Sequence, residues 1–520
     1  MQGLDIPGQR LLAGPHFDLS IQPDEAGARY AMARNEDSEL VIVDFAERTQ
    51  CRAGSIARYD NSVTGPPGKA LIPLLVTDDA GGSELAFTDF SCARSSFRVP
   101  AASLPLQTMQ GVPTATGTGL LIRTPEQGLA LVDPWSEEVF PVAESVRSGD
   151  PISAFGRFLW VDRGVIVISE LDLKPVARFG ERVVEFNLSS QDAELAYIEA
   201  DVPGGTSGKL FLLDAANRGE PRLVAEDACA VRYLTIAERR KLAYLSPCAD
   251  RRLVLQDHVD SSIRVVAERV LNGPAVHEIQ GEWFLTYVTA PADDSASNGT
   301  LWLAPAEDDG SAEPIVIAEN ARSSPSAVTP DGGLLTVLDW ASTGGRLVEW
   351  KGDALTDVAD GVIEVAPLGR LENNDLTLLA NFDGTTGDLL RLRRDLSTEL
   401  LASGVPARSA NADAFLANFD GVQGELRLLN REDGSSESLG TGVARGAYKF
   451  AQQFSAVMML TARDADTNTS TLEIRLMETG ESYLVNSGVT EAREVAFPNP
   501  GLLYNVVVGE GAGVWFSKAL

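Results

Sequence analysis

The stretch "LLANFDGTTGDLLRL" (378–392) is nearly repeated as "FLANFDGVQGELRLL" (415–429), 37 residues further along the chain. Each copy has an apolar run, an Asp-Gly turn and a second run in which apolar and polar residues alternate, which is the pattern of two paired strands. Gly384 and Gly421 each follow an aspartate, and Asp-Gly favours hairpin turns because glycine adopts a positive φ without steric cost. The two copies therefore predict two successive β-hairpins of a repeat.

A further apolar ending follows each hairpin, and related endings recur along the whole chain. They are "QCRAGS" (50–55), "FRVPAAS" (97–103), "FPVAES" (140–145), "KPVARFG" (174–180), "RLVAEDA" (222–228), "RVVAERV" (264–270), "IVIAENA" (315–321), "LTDVADGV" (355–362), "STELLASGV" (397–405), "SESLGTGV" (436–443) and "YLVNSGV" (483–489). A repeat of roughly 40 residues that consists only of strands is typical of the blades of a β-propeller. The endings predict an all-β protein, a β-propeller of about twelve four-stranded blades.

The two ends of the chain are expected to complete one blade together. The last unit begins at Thr490 and has three strands, while "QRLLAG" (9–14) has the form of the missing fourth. Residues 9–14 should pair beside Gly513–Leu520 and close the ring, which removes an open sheet edge.

Twelve blades in one ring would leave a wide channel, so two six-bladed rings are favoured. The expected domains are residues 15–271, and residues 272–520 together with 1–14. One large ring is the alternative, because no linker or change of composition marks the boundary near Leu271.

The stretch "SAVTPDGGLLTVL" (326–338) contains a polar turn with Pro-Asp-Gly followed by an apolar strand, and "FNLSSQDAELAYIE" (186–199) and "YLTIAERRKLAYLS" (233–246) are degenerate versions of it. In this the chain resembles the TolB-like, WD-type β-propeller repeat proteins of the bacterial envelope. The resemblance implies a binding or scaffolding platform. Relatives of this kind that are fused to peptidases carry a separate hydrolase domain, which this chain lacks.

The composition limits the classes of partner. The 520 residues carry a formal net charge of −31, which argues against binding to nucleic acid or to anionic lipid surfaces. No run of about 18 apolar residues is present, so no transmembrane segment is expected. The first residues have neither a basic nor an apolar region, so no signal peptide is expected in this chain.

The four cysteines form two candidate pairs. Cys229 and Cys248 flank a predicted hairpin whose turn is expected at 237–240, which would put them opposite each other at disulfide distance; two free thiols are the alternative. Cys51 lies in the outer strand of the first unit and Cys92 follows the third strand of the second, so adjacent blades would bring them together. Disulfides favour an oxidising compartment, which is the periplasm, the outer-membrane surface or the cell exterior.

Few residues of the sequence suggest a catalytic or metal-binding site. His16, His258 and His277 show no metal-ligand spacing and are interpreted as packing or loop residues. The stretch "DADTNTS" (464–470) begins like a calcium loop with Asp464, Asp466 and Asn468. Its sixth position is threonine instead of glycine and its twelfth is arginine instead of glutamate, so a solvated hairpin is the competing interpretation.

The sequence therefore predicts a non-catalytic, extracytoplasmic β-propeller that binds another envelope or extracellular protein, or a ligand. No catalytic or cofactor-binding residue is assigned, and calcium is the one cofactor that the sequence leaves open. The alternative is a propeller hydrolase or lyase with its site in a central channel. The sequence does not indicate the oligomeric state.

Overall fold

A computed structural model describes residues 8–518, except 25–26, 45–46, 48, 61–62, 65–69, 78–80, 104–109, 114–117, 145–151, 155–156, 171–172, 174, 190–193, 215–218, 258–260, 291–297, 308–311, 322–326, 330, 353, 409–412, 452–454, 496–500 and 510. The described residues form strands and turns without any helix. None of them therefore belongs to a helix long and apolar enough to cross a membrane.

The described ranges contain 46 strands. The first half comprises β1 Gln9–Ala13, β2 His16–Asp24, β3 Gly27–Asn35, β4 Glu39–Asp44, β5 Gln50–Ser55, β6 Arg58–Tyr59, β7 Val63–Thr64, β8 Ala70–Thr77, β9 Ser83–Thr88, β10 Val99–Pro100, β11 Gln110–Pro113, β12 Thr118–Arg123, β13 Leu129–Asp133, β14 Glu138–Ala143, β15 Ile152–Ala154, β16 Arg157–Asp162, β17 Val165–Ser169, β18 Pro175–Phe179, β19 Val183–Ser189, β20 Glu194–Ala200, β21 Gly208–Asp214, β22 Arg222–Ala228 and β23 Val231–Ile236. The second half comprises β24 Arg239–Leu245, β25 Leu253–Asp257, β26 Ile263–Ala267, β27 Val270–Ile279, β28 Glu282–Thr289, β29 Gly299–Pro305, β30 Ile315–Ala321, β31 Ala327–Val328, β32 Leu334–Ala341, β33 Gly344–Lys351, β34 Ala354–Val362, β35 Glu364–Arg370, β36 Leu376–Ala380, β37 Thr386–Leu392, β38 Thr398–Pro406, β39 Ala414–Ala417, β40 Gln423–Leu429, β41 Ser436–Ala451, β42 Ala456–Asp464, β43 Thr469–Leu476, β44 Ser482–Val495, β45 Gly501–Val506 and β46 Gly513–Lys518.

Most strands pair antiparallel with their neighbours along the chain and form four-stranded meanders. Complete examples are β2–β5, β11–β14, β15–β18, β19–β22, β23–β26 and β35–β38. The prediction of an all-β protein built from repeated four-stranded units is confirmed to this extent. The closure of the meanders into one ring or two stays a prediction.

The chain divides into two compact units. Unit 1 is Met1–Arg178 with Leu439–Leu520, and unit 2 is Phe179–Ser438. Unit 1 contains both chain ends because β1 pairs with β46. The boundary that the sequence suggested near Leu271 falls inside unit 2, and the two expected halves stay a prediction.

The pairing of the N-terminal strand with the last strand is confirmed within unit 1. The paired residues are Gln9 with Phe516, Arg10 with Trp515, Leu12 with Val514, and Ala13 with Gly513. Leu12 is 4% exposed and packs in an apolar cluster with Leu19, Leu503 and Val514. The N-terminal strand thus becomes the fourth strand of the last meander.

The repeated stretch folds as two equivalent hairpins of unit 2, as predicted. β36 pairs with β37, and β39 pairs with β40. In the first loop the Asp383 carboxylate accepts the amide hydrogens of Thr385 and Thr386, both at 2.8 Å. In the second loop Asp420 accepts those of the two residues at the same positions, also at 2.8 Å. These amide hydrogen bonds lower the pKa of both carboxyl groups.

When Asp383 and Asp420 are both replaced with asparagine, we expect the stability of the protein to fall less steeply with decreasing pH than that of the parent. Since the folded pKa of each carboxyl is lowered, each stabilises the fold above its unfolded pKa of about 3.9 and loses this contribution as the pH falls through the folded value. The midpoint of urea unfolding from pH 2 to pH 7 measures the difference between the variant and the parent. Asp466→Asn is the control, and an equally flat profile for the control would contradict the prediction.

Arginine side chains connect successive meanders of unit 2. Three guanidinium groups donate to backbone carbonyl oxygens about one repeat further along: Arg232 to Pro274 (3.3 Å), Arg264 to Pro305 (2.9 Å) and Arg391 to Asp433 (2.7 Å). A guanidinium offers five donors in a fixed plane, which the lysine ammonium does not. This geometry accounts for part of the excess of 36 arginines over 7 lysines.

The recurring endings of the sequence form the outer strands of the meanders. Eight of them, β5, β14, β22, β26, β30, β34, β38 and β44, shift register against the third strand of their meander. Large apolar side chains lie exposed on these strands, for example Ile263 at 60% and Leu400 at 59%. The irregular register protects such edges from pairing with other chains.

Both cysteine pairs singled out in the sequence form disulfides. The Cα atoms of Cys51 and Cys92 are 5.8 Å apart, and those of Cys229 and Cys248 are 5.3 Å apart. The expected register of the second pair is wrong, however. The turn consists of Ala237 and Glu238, both at positive φ, so Cys248 lies beyond the end of β24 and is not paired across the ladder with Cys229.

A tryptic digest without reduction should contain two linked peptide pairs, one joining Cys51 to Cys92 and one joining Cys229 to Cys248. Mass spectrometry of protein purified from an oxidising compartment tests this prediction. The control is the same digest after reduction, in which both linked masses should disappear. Alkylation of all four thiols without prior reduction would contradict it.

Candidate functional site

A charged cavity of unit 1 lies where strands of three meanders meet. It has a volume of about 570 Å³ and is lined from β2 and β3, from β6 and from the second half of β44. Its charged and aromatic lining side chains include Asp18, Arg34, Arg58, Tyr59, Glu491 and Arg493. We call it the inner-strand cavity.

One ion pair forms the first wall of the inner-strand cavity. The Arg34 guanidinium lies 2.9 Å from the Asp18 carboxylate and also donates to the carbonyl oxygen of Ala57 at 3.2 Å. Asp18 has a φ of 56°, in the left-handed region that aspartate tolerates better than most residues. Arg34 therefore links β2 and β3 to the connection between β5 and β6 at the cavity.

A second ion pair forms the opposite wall. The Arg493 Nε and Nη2 atoms lie 2.9 Å and 2.6 Å from Glu491 Oε1. The other carboxylate oxygen of Glu491 accepts the backbone amide hydrogen of Leu19 at 3.0 Å. One oxygen of Glu491 therefore holds β44 against β2, and the other bonds Arg493 within β44.

The Glu491 contact has equivalents in unit 2. The Glu185 carboxylate accepts the amide hydrogen of Val231 at 3.1 Å, and the Glu364 carboxylate accepts that of Arg408 at 3.2 Å. In each case a glutamate of one meander binds the backbone at the start of the next. These hydrogen bonds were not predicted from the sequence, although a glutamate occurs near the beginning of several first strands.

Tyr59 lies between the two walls. Its hydroxyl donates to the carbonyl oxygen of Met32 at 2.9 Å and also contacts that of Asp18. Burial, and then the negative charges of Asp18 and Glu491, raise the pKa of the Tyr59 phenol far above its usual value. Tyr59 is therefore a neutral hydrogen-bond donor at every physiological pH.

Replacing Tyr59 with phenylalanine is expected to lower the free energy of unfolding by about 1 kcal/mol, because a buried carbonyl loses its donor. Tyr483→Phe is the matched control, since the Tyr483 hydroxyl bonds the Glu481 carboxylate at 2.6 Å on a side chain that is 40% exposed. The control should change stability less than Tyr59→Phe. Urea unfolding followed by circular dichroism measures both variants, and a larger loss for Tyr483→Phe would count against the prediction.

Neither His16 nor His277 lines the inner-strand cavity. The Nδ1 atom of His16 is 2.7 Å from the carbonyl oxygen of Gly14, and Nε2 of His277 is 2.9 Å from the Thr286 hydroxyl. Burial lowers the pKa of both imidazoles. His258 lies outside the described residues.

The calcium-like stretch forms the turn between β42 and β43. The Asp464 carboxylate accepts the amide hydrogens of Asp466 and Thr467 at 2.9 and 3.4 Å. The side-chain carbonyl oxygen of Asn468 accepts a hydrogen bond from Arg463 at 2.6 Å. Across the ranges that the structure describes, no cluster of three His, Cys, Asp or Glu side chains is arranged to hold a metal ion.

The comparisons with known proteins do not identify a family. No protein-family description and no curated protein matches the sequence.

Similar solved structures include a eukaryotic initiation factor, at 8% identity over 76% of this chain and 94% of that chain, with a TM-score of 0.34. The CNH domain of AfRom2 matches at 15% identity over 65% of this chain and 93% of that domain, with a TM-score of 0.23. PorZ, described as an essential bacterial surface component of the type-IX secretion system of Porphyromonas gingivalis, matches at 11% identity over 96% of this chain and 79% of that chain, with a TM-score of 0.21. At such low identities and TM-scores the likeness supports no statement about function, and the resemblance to TolB-like or WD-type repeats stays a prediction.

Proposed function

We propose that this chain is a β-propeller that acts outside the cytoplasm as a non-catalytic binding scaffold. The succession of four-stranded meanders and the pairing of β1 with β46 support a propeller. The disulfides Cys51–Cys92 and Cys229–Cys248 support an oxidising compartment, since disulfides are rare in the cytosol.

The observation that carries a binding role is that Asp18, Glu491 and Tyr59 of the inner-strand cavity already have protein partners. Asp18 is paired with Arg34, and Glu491 is bound by Arg493 and by a backbone amide. The Tyr59 hydroxyl donates to a carbonyl oxygen. A general base or nucleophile needs a free, activated group near the substrate, whereas these groups fix the shape of a polar cavity.

The partner is expected to carry positive charge. The net charge of −31 creates a negative field that attracts basic surfaces and weakens with salt. Residues 465–468 and Glu307 lie outside the strands, and the stretches 464–468 and 307–313 are acidic in sequence. Asp466 is the better residue to neutralise in the turn, because Asp464 holds the backbone there.

Capture of a partner from the native envelope fraction with the intact chain as bait tests the proposal. Binding should weaken with rising ionic strength and in a Glu307→Gln/Asp466→Asn variant. A variant with His16, His258 and His277 replaced should bind as the parent does, provided that its circular dichroism shows it folded. Binding that ignores both salt and the acidic residues, together with a turnover that the histidine replacements abolish, would establish the propeller enzyme instead.

A further inference from the structure

A second cavity adjoins the inner-strand cavity in unit 1. It has a volume of about 320 Å³ and shares the residues Glu491 and Arg493 with its neighbour. Its apolar lining comes from Tyr448, Met458, Met459, Leu460 and Leu472. The ion pair of Glu491 with Arg493 therefore separates a charged compartment from a largely apolar one.

Arg58 differs from the other two arginines of the charged compartment. Arg34 and Arg493 each pair with a carboxylate, whereas the exposed Arg58 side chain makes no ion pair or hydrogen bond with any described residue. The bonds of Arg493 to Glu491 come from Nε and Nη2, so Nη1 takes no part in that ion pair. Guanidinium groups bind carboxylates through two parallel hydrogen bonds.

The apolar compartment suits a flexible hydrocarbon group. Met458 and Leu460 lie on the same face of β42 and line it, and methionine adapts its unbranched side chain to irregular apolar ligands. Leu472 is fully buried beneath it, so the floor belongs to the folded core. The rim carries Lys449, which adds a positive charge beside the opening.

We propose that the two cavities form one site for a ligand in which a carboxylate is joined to an apolar group. The carboxylate binds Arg58 in the charged compartment, and the apolar group packs against Met458 and Leu460. The carboxyl end of a peptide with an apolar last residue and a fatty acid share this chemistry. This assignment rests on the proposed binding function and adds a small ligand to it, at a site distinct from the acidic surface that is expected to attract the basic partner.

Titration of the purified full-length chain with three probes tests the site: N-acetyl-leucine, octanoate and the uncharged N-acetyl-leucinamide. Isothermal titration calorimetry should detect one or both carboxylates and at least tenfold weaker binding of the amide. Tighter binding of N-acetyl-leucine indicates a peptide end, and tighter binding of octanoate indicates an acyl chain. Failure of both carboxylates to bind at millimolar concentration, or equal binding of the amide, overturns the proposal.

Two variants test the two compartments separately. Arg58→Gln should weaken binding of the carboxylates at least tenfold and leave the amide unchanged, whereas Arg239→Gln, at an exposed arginine of unit 2, should change nothing. Ala447→Phe should fill the apolar compartment and weaken octanoate most. Insensitivity to Arg58→Gln in a variant with the melting temperature of the parent overturns the proposal.

The titrations test the ligand site, and the envelope capture tests the protein-scaffold role, so a negative result in one does not decide the other. Probe binding without any captured partner would leave the ligand site standing and remove the protein-scaffold role. A salt-sensitive partner without probe binding would do the reverse.

Discussion

Replacing Arg391 with methionine is expected to lower the free energy of unfolding by about 3–5 kcal/mol, the usual cost of removing one partner from a buried ion pair. Arg391 Nε donates to the Asp375 carboxylate at 2.6 Å, and the two side chains are only 13% and 6% exposed. In the variant, the side-chain amide of Asn373 would be the one described group that still donates a hydrogen bond to the buried Asp375 carboxylate. It would also lose the hydrogen bond from Arg391 to the carbonyl oxygen of Asp433 in the next meander. Urea unfolding followed by circular dichroism measures the loss.

A second arginine–aspartate pair of unit 2 supplies a matched control for this prediction. Arg431 bonds the Asp413 carboxylate in the same way at 2.5 Å, but these side chains are 37% and 39% exposed. Arg431→Met should therefore cost only about 1–2 kcal/mol, including its bonds to backbone carbonyls. The double variant Arg391→Met/Asp375→Leu should recover much of the loss, because no unpaired charge then remains. Equal losses for Arg391→Met and Arg431→Met would contradict the role of burial.

The parts of the fold that depend on local sequence were predictable. The Asp-Gly turns at 383–384 and 420–421 fixed two hairpins, because the aspartate binds the loop amides and the glycine adopts a positive φ of 103° or 102°. The recurring endings predicted the outer strands, and the missing fourth strand of the last unit predicted the pairing of β1 with β46. Each of these predictions used a short segment or a repeated spacing.

The inner-strand cavity was not predictable for a physical reason. Asp18, Tyr59 and Glu491 come together through the packing of distant parts of the chain, and their partners include backbone groups that carry no sequence signal. The error in the hairpin of Cys229 has a local cause. Its turn uses Ala237 and Glu238 at positive φ, where glycine or asparagine would be expected, so the sequence misplaced the centre by one residue.

Starting the chain at Pro15, and so removing β1, is expected to destabilise unit 1 by several kcal/mol. The loss of Leu12 from its apolar cluster costs about 2 kcal/mol. Each hydrogen bond of the ladder between β1 and β46 contributes about 1 kcal/mol more. The exposed edge of β46 should also make the shortened protein prone to aggregate. The melting temperature and the hydrogen exchange of residues 513–518 measure these effects.

Point variants separate the loss of the strand from the shortening of the chain. Leu12→Asp keeps the full length of the chain but puts a charge into the apolar cluster. It should therefore release β1 from β46 and remove the hydrogen-exchange protection of β46. Gln9→Ala, at an exposed position of the same strand, should leave both measurements unchanged. If the chain that starts at Pro15 melts and exchanges as the full-length protein does, β1 contributes nothing to the last meander. The ring closure inferred from its pairing would then lose its main support, since β46 would tolerate an open edge.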